Sequence, residues 1–77
     1  MRTLLDAEEG RVYTVVGIAG GGRAARRLLD MGFTPNCELY VARTAPFGGT
    51  VLVSLRGFFV ALRRDAAKLI EIRGTGK

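Results

Sequence analysis

The sequence predicts a mainly β fold: a small closed or nearly closed β-barrel of about five strands with one short helical insertion. Three observations predict it. Several short runs rich in β-branched and aromatic residues are separated by Gly, Pro and Asn turn signals. Only one substantial segment has the apolar period of a helix. At 77 residues the chain supports one small domain, and closing its sheet would remove the exposed strand edges.

The elements follow in order. "VYTVVGIA", Val12 to Ala19, is a strand that runs out into three glycines, Gly20, Gly21 and Gly22. From Arg23 to Met31, the apolar residues Ala24, Ala25, Leu28, Leu29 and Met31 occupy one arc at 100° per residue. Arg23, Arg26, Arg27 and Asp30 occupy the other. This is a short amphipathic helix, ended by Gly32 at the position that favours left-handed backbone. After a Pro35-Asn36 turn, Cys37, Leu39 and Val41 alternate with Glu38, Tyr40 and Ala42, the period of a half-buried strand. "TVLVSL" and "FFVALR" flank "RG" as a hairpin in which glycine supplies a positive φ. Phe58 and Phe59, adjacent on the second of these strands, point to opposite faces, so one of them faces the core. "RDAAK" is one helical turn and "LIEIR" a last strand, and the terminal "MR" and "GTGK" are expected to fray.

Composition excludes more than it asserts. With no histidine, the chain lacks the commonest general base and the commonest transition-metal ligand. No nucleophile has a base beside it in sequence, and the 7 carboxylates are scattered, so no catalysis, no cofactor and no metal site is expected. The single cysteine, Cys37, cannot form an internal disulfide and sits at an inward strand position, where it reads as a small core residue. That cysteine usage, and a start with neither a secretory apolar stretch nor a membrane-length run, point to the cytoplasm with no membrane insertion.

Gly20, Gly22 and Ala25 satisfy G-x-G-x-x-A between a strand and a helix, but a dinucleotide fold needs a parallel sheet and an acidic residue at the far end of its second strand. Gly17 and Gly22 match the glycines of a phosphate-binding loop, yet Arg23 and Ala24 stand where its lysine and hydroxyl belong. The glycines therefore serve the turn.

A net charge of +5 suits an acidic protein, a nucleic acid or a membrane surface. Arg23, Arg26 and Arg27 form a basic strip with Leu29 and Met31 at its margins. Arg23 in the first turn and Asp30 near the last both oppose the helix macrodipole, although Asp30 could pair with Arg26 or Arg27. Local choices that work against stability are where function concentrates. "APFGG" places Pro46 and Phe47 on a loop, either closing the end of the barrel or forming a partner-binding tip. The expected partner-binding residues are Arg23, Arg26, Arg27, Leu29, Met31, Pro46 and Phe47.

Several of these words in this order, "EEGRVYTVVGIAGGG", "RRLLDMGFTPN" and "ELYVARTAPFGGTVLVSLRGFFVALRRDAAKLIEI", resemble the FeoA family of ferrous iron uptake proteins. The resemblance covers Leu4 to Ile72 within a single domain spanning 1–77. Asn36 replaces the family's usual glycine and tolerates positive φ, and Thr50 replaces a usual proline. The resemblance implies an SH3-like barrel and a non-enzymatic accessory protein that docks on the cytosolic, GTP-binding part of a FeoB-type transporter and modulates it. It also implies kinship with the C-terminal domains of iron-dependent repressors. A small basic nucleic-acid-binding barrel is the alternative; no aromatic residue lies in the arginine strip to stack on bases, so no nucleic acid is expected as partner.

Overall fold

The computed structural model describes residues 2–45 and 49–75. Its elements run β1 (Val12–Ile18), α1 (Gly22–Met31), β2 (Glu38–Thr44), β3 (Thr50–Leu55), β4 (Phe58–Arg63), α2 (Arg64–Ala67) and β5 (Ile70–Gly74), preceded by a 3₁₀ turn at Leu4–Asp6. The strands form one antiparallel sheet in the order β4-β3-β2-β1-β5.

The core is built by the alternation that the strands carry. Tyr13 and Val15 from β1, Leu39 and Val41 from β2, and Val51, Val53 and Leu55 from β3 point inward, joined by Leu62, Ile70 and Ile72. Leu28 of α1, Phe33 just beyond it, Ala67 of α2 and Leu4 of the 3₁₀ turn close over them. Buried Tyr13 keeps its hydroxyl satisfied by accepting from the Glu8 N–H at 2.9 Å.

The sheet is open, which corrects the expected SH3-like barrel. Closure needs β4 to pair with β5, and these lie at opposite edges of the strand order. Two irregularities in register, between Val15 and Gly17 and between Val41 and Arg43, bend the sheet. The outer edge of β5 is nonetheless already occupied: the Ile72 N–H donates to the Arg2 carbonyl at 2.9 Å, and Thr3 bridges Glu71. The chain's own start has taken the place that β4 would need. Arg2 is therefore tied to the sheet, not frayed.

The hairpin between β3 and β4 forms as expected, with one difference. Both Arg56 (φ 54°) and Gly57 (φ 87°) are left-handed, because a two-residue hairpin turn of this twist requires positive φ at both central positions. Asn36 takes a positive φ of 75°, as the turn at that point demands.

Candidate functional site

Helix α1 stands on the sheet by a narrow footing. Ala25 and Leu28 are its buried residues, whereas Leu29 and Met31 remain 40% and 45% exposed and Ala24 is also exposed. The apolar arc of the sequence is wider than the face the helix buries. No side chain caps its N-terminus, its first turn holds no acid and its last turn no base. Its C-terminus is well made: Gly32, at φ 113°, donates its N–H back to the carbonyls of Leu28 and Leu29. There it meets the hairpin, with Leu55 and Arg56 side chains packed against the glycine.

Arg23, Arg26 and Arg27 are all exposed. The pairing of Asp30 with Arg26 or Arg27 does not form; the one ion pair among the described residues is Arg11 with Glu8 at 3.2 Å. The strip is also divided by the helix itself. Arg27 and Met31 look into a groove of about 410 Å³ whose other wall is β4 and α2, through Ala61, Leu62 and Ala66. Arg26 and Leu29 border a second groove, shared with the glycine turn and Pro35. One basic ridge thus has an apolar furrow on each side.

Pro46 and Phe47 lie outside the described residues. Just before them in sequence, the Ala45 N–H donates to the Thr50 carbonyl at 3.0 Å. Gly49 packs against Arg64 at the start of α2, next to the Asp65 and Ala66 that line the groove with Arg27.

Two exposed residues escape sequence reasoning. Phe58 and Phe59 are 72% and 68% exposed, which corrects the expectation that one faces the core. Opposite faces are indeed presented, but Phe58 is the first residue of an edge strand, beside the hairpin turn, with a neighbouring strand, β3, on one side only. The uninterrupted run "FFVAL" was visible; that its strand is an edge was not. On the outer face, Val12, Tyr40, Ser54 and Phe59 stand in one cross-strand row, with Val12 and Tyr40 40% and 44% exposed.

Cys37 is half-buried against the core, and its thiol donates to the Gly32 carbonyl at 3.4 Å. Burial pushes the thiol's pKa up, opposed by smaller effects of the Thr34 backbone and the Arg56 charge, so it is a poor nucleophile. Among the described residues no three His, Cys, Asp or Glu side chains are grouped to hold a metal, and no helix is long and apolar enough to cross a membrane.

The described residues form one small open antiparallel sheet beside a helix whose three arginines are exposed and outside any ion pair, with apolar side chains left uncovered. The model of the FeoA domain matches residues 2–74, and the chain belongs to the FeoA family. Family membership makes it an accessory protein of ferrous iron uptake. It is similar to a FeoA-like protein from Clostridium acetobutylicum, with 29% identity, a TM-score of 0.86 and 97% of this chain aligned to 87% of that one. An iron uptake regulatory protein (FeoA) shares 30% identity and a TM-score of 0.81, over 91% of this chain and 92% of the other. A manganese-dependent transcriptional repressor shares the fold, at 24% identity and a TM-score of 0.86, with 95% of this chain aligned to 41% of that one. No curated protein matched the sequence.

Proposed function

We propose that this FeoA-family chain acts in the cytoplasm by docking on the cytosolic part of a FeoB-type ferrous iron transporter and modulating it. The docking face is the ridge of α1, Arg23, Arg26 and Arg27 with Leu29 and Met31. One observation carries this reading: three exposed arginines without ion-pair partners stand on a helix that buries little more than Ala25 and Leu28. Arginines that stabilise nothing within the fold are available to an acidic partner, and the half-exposed Leu29 and Met31 add the apolar contact that such an interface needs at its centre.

Charge reversal tests the reading with a built-in control on folding. Replacing Arg23, Arg26 and Arg27 by glutamate should abolish binding to the transporter's cytosolic region. The thermal midpoint should stay nearly unchanged, because the gain of about 0.3–1 kcal/mol from an acid at position 23 in the first turn is offset by like-charge repulsion of positions 26 and 27 with Asp30. Undiminished binding by the folded variant would contradict the proposal.

A further inference from the structure

The two edges of the sheet are treated differently. The edge of β5 is short and is covered by Arg2 and Thr3, whereas no backbone hydrogen bond beyond its partner β3 covers β4 among the described residues. Natural edge strands are blunted by charge, proline or a bulge. Strand β4 has none of these along "FFVAL": its register with β3 is unbroken from Phe58 to Arg63, and its first charged residue is the last one, Arg63.

The register also says which groups are free. Leu55 and Phe58 close the two-residue hairpin as a hydrogen-bonded pair, so Val60 and Leu62 also bond to β3, and Phe59 and Ala61 turn their N–H and C=O groups outward. Beside this edge runs the groove between α1 and β4, floored by Leu28, Met31, Ala61 and Leu62. Arg27 and Arg63 line it, Arg56 and Arg64 stand at the two ends of β4, and Asp65 is the one acid among them.

We propose that β4 is a strand-addition site, which takes an extended polypeptide segment of alternating apolar and acidic residues from a protein partner. Main-chain pairing would come from Phe59 and Ala61, apolar contact from Phe58, Phe59 and the groove, and selection from the arginines. Charge decides against a second copy of this chain, which carries the same +5. It does not decide against nucleic acid, but geometry does: Phe58 and Phe59 flank the strand on opposite faces, so they do not make a one-sided stacking platform, and bases would leave the strand's free donors and acceptors unused. The proposal rests on the docking reading for the identity of the partner, and adds to it the edge and the chemistry of the segment.

The test reads hydrogen exchange amide by amide in the full chain. The probes are the transporter's cytosolic region, a short synthetic peptide of alternating valine and glutamate, and the same peptide with lysine for glutamate. Strand addition slows exchange at Phe59 and Ala61 by about tenfold or more, for the acidic probes and not the lysine peptide, while Val60 and Leu62 change little. Ala61→Pro, which removes an outward donor at an edge position that tolerates proline, should weaken binding by at least about tenfold with the fold intact. Wild-type exchange carries the test should that variant misfold. Protection by the acidic peptide with a silent transporter region would uphold the site and overturn the docking reading. Transporter binding that depends on the α1 arginines and leaves Phe59 and Ala61 unprotected would overturn the strand-addition site alone. Protection that appears only as the chain itself is concentrated, or only with an added oligonucleotide, would also overturn it.

Discussion

At the scale of single residues, two left-handed positions end α1 and set the turn that leads into β2. Gly32 and Asn36 sit in a sequence where a helix must stop and a turn must follow, and both adopt the positive φ those jobs require, 113° and 75°. Arg56 was not legible in the same way, since arginine has no preference for positive φ; the geometry of the hairpin imposes it. Gly32 carries a second constraint, because a Cβ there would stand 3.3 Å from Leu55 Cδ2. Gly32→Ala should therefore lower the unfolding free energy by at least about 1–2 kcal/mol in urea melts, the cost of a left-handed backbone alone. A change within about 0.5 kcal/mol would show that the C-terminus of α1 relaxes freely.

At the scale of elements, period gave the strands and the helix, and burial within the helix departed from period. Ala24, Leu29 and Met31 lie on the apolar arc of α1, yet burial falls only on Ala25 and Leu28 at the centre of that arc. The division has a measurable consequence. Leu28→Ala should cost about 2–5 kcal/mol in stability, as deletion of a buried leucine does. Leu29→Ala, at a side chain 40% exposed, should cost less than about 1.5 kcal/mol while weakening transporter binding. Equal losses of stability at the two positions would place Leu29 in the core and remove it from the docking face. Strand β4 teaches the converse. Its period puts one of Phe58 and Phe59 on the core face, but burial depends on where a strand falls in the sheet order, which is a long-range property that period does not contain.

At the scale of the whole molecule, strand number and strand order were separate questions. The five strands were legible because each is a local pattern. Closure was not, because it turned on whether β5 would pair with β4 or with the chain's own start, and Arg2 and Thr3 decide that through the Ile72 N–H and Glu71. The open sheet leaves α1, the groove and the β4 edge on adjoining surface, so a partner gripping the arginine ridge has an uncovered strand within reach. The function proposed at this scale is recognition, centred on the arginines of α1.

The most direct measurement is an amide NMR titration of isotopically labelled chain with the cytosolic region of the transporter, alongside a duplex oligonucleotide at rising salt. The docking account predicts shifts centred on Arg23, Arg26, Arg27, Leu29 and Met31 with the protein. Shifts only with the oligonucleotide, fading as salt screens its phosphates, would contradict that account and make this a nucleic-acid-binding domain.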